Sequence, residues 1–296
     1  MLCVRAYNDW MIDDWCATDP ARLIPLTVIP CWDPHAAAAE VRRCAAKGAR
    51  AITFSEQPEL LGLPTIWDPN RYWDPLWDAC QETQTVVCTH IGSGSNFLRI
   101  SSQTPFPLSM AWGMGARCAS TLIDWLFAPV FRSFPGIKIA LSEGGIGWIP
   151  YFIERAGQVA STQRALIERG EDLADYTKGV WGNVDAHKRV DFEGFDIWQV
   201  FRDHVYGGFI DDQFGVMNLE TIGVENVLLE SDYPHSDSTW PDSVAHLKRQ
   251  LALNLRLTED DRYLLMRGHA ERLFRVQPPS EEEMNTRVAK AHGSGA

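Results

Sequence analysis

Short apolar runs alternate with amphipathic helical stretches along this chain, and that alternation constrains its fold more than any other feature. Strand candidates lie at Arg22–Pro30, Ala49–Phe54, Thr85–His90, Ile137–Ser142, His204–Ile210 and Val227–Leu229. Helical segments separate them. Asp33 followed by Pro34 reads as an N-cap and first helical position, and Gly48 closes that helix. Asp74-Pro75 opens another helix, which buries Leu76, Trp77 and Cys80. Residues 117–134, 148–169, 242–255 and 258–274 read as further helices, with Thr258 as N-cap of the last. The opening stretch, Tyr7 to Cys16, places Tyr7, Trp10, Met11, Asp14 and Trp15 at helical spacing, a stripe expected to be buried. Strand and helix in turn, without a break in composition, imply one parallel α/β domain. The strand from His204 is weakened by Gly207 and Gly208. A polar excursion is expected at 170–194, and a mobile tail at 277–296, where Pro278-Pro279 precedes three glutamates.

In a parallel sheet, chemistry collects where strands end at the carboxyl edge. Val227-Leu228-Leu229 has the composition of a strand buried on both faces, and it runs out into Glu230-Ser231-Asp232-Tyr233-Pro234-His235. Asp232 is therefore the leading candidate for a site; its alternative role is to cap the turn before Pro234. His90, after Val86-Val87-Cys88, is either a metal-binding imidazole or a ring bonded to neighbouring loops. Glu143 is followed by Gly144-Gly145, which let backbone approach a ligand, or else it serves the dipole of the next helix. His235 is a candidate substrate contact or a partner to a ligand. Asp211 and Asp212 read as a solvated loop, and His269 as helix packing. Asp33-Pro34-His35 is explained by capping, and Gly92-Ser93-Gly94 and Gly113-Met114-Gly115 lack the spacing of a dinucleotide fingerprint.

Ser-Asp-Tyr-Pro-His after an apolar strand, His-Ile-Gly-Ser-Gly at 90–94 and Ser-Glu-Gly-Gly-Ile-Gly-Trp at 142–148 resemble the amidohydrolase superfamily. The closest branch is the one that includes aminocarboxymuconate-semialdehyde decarboxylase. The resemblance spans nearly all of 1–276 and implies a (β/α)8 TIM-like barrel with one divalent metal ion, zinc or manganese. It makes His90 and Asp232 the metal ligands, Asp232 and Glu143 the catalytic acid and base, and Trp148 and His235 substrate contacts. The implied reaction is non-oxidative decarboxylation, or hydrolysis of an amide, ester or lactone, on a small carboxylate or carbonyl substrate. Relatives usually carry histidine where Glu143 stands, and an H-x-H or E-x-H pair on their first strand that this sequence lacks. Six strand candidates also fall two short of eight. The barrel is therefore expected to be incomplete at its N-terminal side, with its first two strands missing and bare edges left on the remaining sheet. A non-enzymatic alternative is an inactive barrel remnant serving as an interaction or scaffold subunit. The family also implies a homo-oligomer.

The totals narrow the partners. A net charge of −12 disfavours nucleic acid and anionic membranes. Seven scattered cysteines, with no C-x-x-C and no signal peptide, suit a reduced cytoplasmic protein. Twelve tryptophans suit an aromatic-walled cavity or simple core filling.

Overall fold

The computed structural model describes residues 1–94, 98–169, 194–280 and 282–286. Most of the expected 170–194 excursion lies outside the described residues. Six strands form one parallel sheet in sequence order: β1 (Leu26–Thr27), β2 (Ala51–Phe54), β3 (Val86–His90), β4 (Ile139–Ser142), β5 (Val205–Phe209) and β6 (Val227–Leu229). Sequential parallel neighbours joined by helices are the repeating unit of a (β/α) barrel wall. The registers His90↔Ser142 and Phe209↔Leu229 bring the strand ends out at one common edge.

Local chemistry explains most boundaries. Asp33 caps α2 (Pro34–Ala46), its carboxylate accepting from the N–H groups of His35 and Ala36 at 3.0 Å each. Such a cap is worth about 1 kcal/mol. Thr258 and Asp261 form a reciprocal capping box at the helix Glu259–Tyr263. The following segment passes through a π-helical turn, Leu264–Gly268, before His269–Leu273, so the single helix expected there is interrupted. Helix α4 (Phe106–Phe127) begins eleven residues earlier than its apolar pattern indicates and ends before Pro129.

Two expectations are corrected. The first concerns helix α1 (Leu2–Asp9), which runs into a π-helical segment, Trp10–Trp15. Its buried positions are Asn8, Ile12 and Cys16, whereas Trp10 and Trp15 are 44% and 57% exposed. The buried face is selected by Asn8, whose side-chain amide accepts from Val28 N–H and donates to Val28 C=O, both at 2.9 Å. Second, the glycines of β5 do not weaken that strand. They give it a thin face, and the Glu230 side chain lies against it at Gly208.

The core lies between sheet and helices. Phe54 of β2 meets Trp73, Trp77 and Trp125 edge-on, with ring centroids 5.0, 5.1 and 6.3 Å away. Contacts of this geometry add about 0.5–1.5 kcal/mol each beyond area burial. These tryptophans are core filling, and they fix α3 (Asp74–Thr83) and α4 against the sheet. Among the described residues, no helix is long and apolar enough to cross a membrane.

Candidate active site

Strands β3, β4 and β6 deliver the site. His90 ends β3, Glu143 follows β4, and Asp232 lies three residues beyond β6. Glu143 and Asp232 both have positive φ, 60° and 49°. Residues other than glycine adopt this conformation at a cost of about 1–3 kcal/mol, and only where surrounding contacts hold them. Here the conformation turns both carboxyl groups inward from the strand ends. His90 Nε2 lies 3.0 Å from a Glu143 oxygen, and Glu143 shares a hydrogen bond with Asp232. Asp232 in turn accepts from His235 Nδ1 at 2.5 Å. The structure thus gathers four of the residues singled out from the sequence into one chain: His90, Glu143, Asp232 and His235.

Protons hold this chain together. His90 Nδ1 donates to Ile91 C=O at 2.6 Å, because a carbonyl can only accept. Nε2 is then the free nitrogen of the neutral ring, and its contact with Glu143 needs a proton on one side or the other. Burial works against a charged His90, yet the Ile91 hydrogen bond and Glu143 outweigh it and raise the pKa. Burial likewise raises Glu143, and Asp232 adds to the effect by sharing its proton while His90 pulls the other way. For Asp232 burial is outweighed by the hydrogen bonds from Glu143 and His235, and its pKa is lowered. Glu143 is thereby shifted toward its protonated form and Asp232 toward the anion.

The same donors suit a divalent cation. Ligand atoms of Glu143, Asp232 and His235 lie within 4.8 Å of one another. A histidine whose Nδ1–H is tied to a backbone carbonyl presents Nε2 for coordination, as metal-binding histidines usually do. Carboxylates that must otherwise share a proton gain from a cation between them, and nitrogen with oxygen donors fits zinc or manganese. Among the described residues no H-x-H or E-x-H pair contributes.

Glu143 also opens onto a cavity of about 510 Å³. Its walls include Met110 and Met114 of α4, Gly144 and Gly145, Ile210 to Asp212, and Asp237. The wall is methionine rather than tryptophan. Trp148 does not line it: its indole N–H donates to Gly144 C=O at 2.7 Å, and its ring packs beside Gly115 of α4. The structure places it as a wedge between that helix and the glycine loop.

Sequence reasoning missed three supporting acids. Asp212, read as solvated, accepts from the N–H groups of Ile146, Gly147 and Gly215 at 2.6–2.7 Å, and so pins the end of the glycine loop. Glu56 is buried beside Arg117 of α4, with Nε 3.5 Å from its carboxylate, and accepts from Gly92 N–H at 2.9 Å. It thereby ties down the loop that follows His90. Glu230 lies against Gly208 of β5 and accepts from Glu143 N–H at 2.8 Å; burial pushes its pKa up to about 7. The Gly207-Gly208 pair was the available signal for Glu230, since a strand glycine often marks close approach by another group.

The fold and site can be set beside known proteins. The amidohydrolase family model matches residues 2–276. This chain belongs to the amidohydrolase family. Among the sequence relatives within that family, gamma-resorcylate decarboxylase from Polaromonas sp. JS666 is 23% identical over 284 residues, covering 92% of this chain and 76% of the relative. The gamma-resorcylate decarboxylase of Rhodococcus jostii RHA1 is 29% identical over 158 residues, or 51% and 47% of the two chains. Among solved structures, 5-carboxyvanillate decarboxylase from Sphingomonas paucimobilis superposes with a TM-score of 0.64 at 19% identity, covering 93% of this chain and 72% of the other. The Polaromonas dihydroxybenzoic acid decarboxylase, solved with manganese and 2-nitroresorcinol, gives 0.62 at 20% identity, over 93% and 76%. These structural likenesses establish the shared fold of the family, a TIM-like barrel of which this chain carries six consecutive parallel strands.

Proposed function

We propose that this protein is a divalent-metal-dependent carboxy-lyase that removes CO2 from a small aromatic carboxylate. The observation that carries the proposal is the proton-sharing chain His90–Glu143–Asp232 at the mouth of a cavity. The family relatives named above, decarboxylases of aryl acids, supply the substrate class. Loss of CO2 from an aryl acid needs a proton delivered to the ring carbon that the carboxylate leaves. Glu143, whose pKa is raised by burial and by Asp232, faces the cavity and is the group placed to deliver it. Asp232, as the anion, accepts the shared hydrogen bond and keeps that proton directed inward. Left as the carboxylate, Glu143 regains its proton from solvent through the cavity it opens onto. Met110 and Met114 offer a soft apolar wall for the ring.

His90 and Asp232, with His235 beside them, would hold the metal, and Glu143, hydrogen-bonded to Asp232, would orient that ligand. Manganese or zinc bound there would neutralise the substrate's carboxylate and adjacent oxygen. Trp148 acts on this reading by wedging the glycine loop, and His235 by orienting Asp232. Seven free cysteines suit a reducing compartment such as the cytoplasm. A homo-oligomer is part of the same reading, and light scattering measures it.

The test is to load the protein with Mn²⁺ or Zn²⁺ and follow CO2 release from a panel of hydroxylated benzoates by chromatography. Release from at least one aryl acid, abolished by chelator, is expected. A metal-loaded preparation that hydrolyses esters or lactones but leaves every aryl acid intact overturns the assignment.

A further inference from the structure

Glu143 reaches His90 and Asp232 only because its backbone is turned into the left-handed region, at φ 60°. No glycine relieves that position, so another group has to hold it. The contacts of Glu143 N–H identify the group. It donates to Glu230 Oε2 at 2.8 Å. Glu230 is itself fixed: its backbone N–H donates to Phe209 C=O at 2.9 Å, extending the β5–β6 pairing one residue past the strand. Its side chain then folds back across β5 at Gly208, where an added Cβ would lie only 2.3 Å from the carboxyl group. A side chain at 208 would take the space that the Glu230 carboxyl occupies.

From this seat we infer that Glu230 is a positioning residue for the site: its carboxyl group, lodged against Gly208, locks Glu143 into the conformation that joins it to His90 and Asp232. The inference deepens the proposed function and rests on it for the role of Glu143, but the positional claim stands on these contacts. Glu230 bonds to Glu143 N–H and to the Ser142 side chain, and so acts on the site through the turn that carries Glu143. Asp212 holds the far end of the same loop at Ile146 and Gly147. The loop is therefore clamped at both ends, and Glu230 is the clamp nearest the chemistry.

Two substitutions separate acceptance of that hydrogen bond from mere filling of space. Glu230→Gln keeps an oxygen acceptor of the same reach, while Glu230→Leu fills similar volume and accepts nothing. Metal-free crystal structures and Mn²⁺ titrations are compared with wild type, with thermal unfolding to confirm cooperative folding. Glu230→Gln is expected to leave Glu143 beside His90 and Mn²⁺ affinity near wild type. Glu230→Leu is expected to let Glu143 leave the left-handed region and to weaken Mn²⁺ binding by about tenfold or more, the range for residues that orient ligands. Should Glu230→Leu fail to fold, Glu230→Ala is read in the same way. Glu143 unmoved in the Leu or Ala variant overturns the inference, as does displacement in the Gln variant. Wild-type protein that binds no Mn²⁺ sinks the proposed function, and the crystal comparison still decides what holds Glu143.

Discussion

At the scale of single residues, the site is a set of carboxyl groups whose charges are managed by sharing protons. Asp232 bears the charge that a cation would require, and Asp232→Asn removes it at constant size. Metal affinity should fall by at least ~100-fold, since even groups that only orient ligands cost 10–100-fold. Metal content after dialysis measures this, and unchanged content would leave Asp232 as a turn residue, its carbonyl accepting from His235 N–H at 2.7 Å. Glu230 gives a prediction in pH. Its pKa is raised from 4.5 to about 7 by burial, so the folded state keeps a proton that the unfolded chain releases. Its contribution to stability is complete below 4.5 and is lost as pH rises through about 7. In metal-free protein, the melting temperature of wild type relative to Glu230→Gln should therefore fall between pH 4.5 and about 7 and level off above that. A constant difference across that interval would show that Glu230 is ionised throughout. His90, Glu143 and Asp232 were legible in the sequence because each stands at or within three residues of the end of an apolar strand. Glu230 was not, although it stands in the same run, because its role depends on a glycine in a neighbouring strand.

At the scale of elements, strand ends are legible and the supports behind them are not. All six strands were foreseeable from their apolar runs, including β5, because burial on both faces dictates composition regardless of what packs outside. Helix α4 was only half foreseeable. Its first turns carry the cavity face, where Met110 and Met114 meet open space rather than a regular core. The same helix delivers Arg117 to Glu56, a pairing 61 positions apart in sequence that no local pattern announces. Both side chains are buried, at 5% and 3% exposure, and the Glu56 carboxylate holds Gly92 N–H in the loop after His90. Arg117→Met should leave that carboxylate without its cation. A buried pair broken on one side costs about 3–5 kcal/mol. Urea unfolding should show a loss of that order, and Glu56→Gln added to Arg117→Met should recover part of it. If the double variant is no more stable than Arg117→Met alone, the Arg117 side chain acts through packing and not through its charge.

At the scale of the whole molecule, the sheet has two outer strands, β1 and β6, and an outer strand offers unpaired backbone groups to any other chain. From the sequence both edges were expected to be bare, since neither run carries a protective charge. The structure shows side chains from distant elements already in place. His269 Nδ1 lies 3.0 Å from Val227 C=O at the start of β6. At β1, Asn8 does what a neighbouring strand would do, pairing with both backbone groups of Val28 while also donating to Glu40 at 2.9 Å. One amide in a helix thus pairs both backbone groups of the residue just past β1, and nothing in helical periodicity marks a polar residue for that duty. Asn8→Ala should unpair both Val28 groups and destabilise the fold by about 3 kcal/mol, at 1–3 kcal/mol for each buried group left without a partner. It should also self-associate on mild warming, as followed by light scattering. Leu122→Ala is the control: it removes a fully buried side chain at a similar cost of about 3 kcal/mol and leaves Asn8 in place. Both variants unfold to a similar extent, so any excess association of Asn8→Ala belongs to the exposed edge. Equal association in the two would mean that the β1 edge is kept from other chains by something other than Asn8.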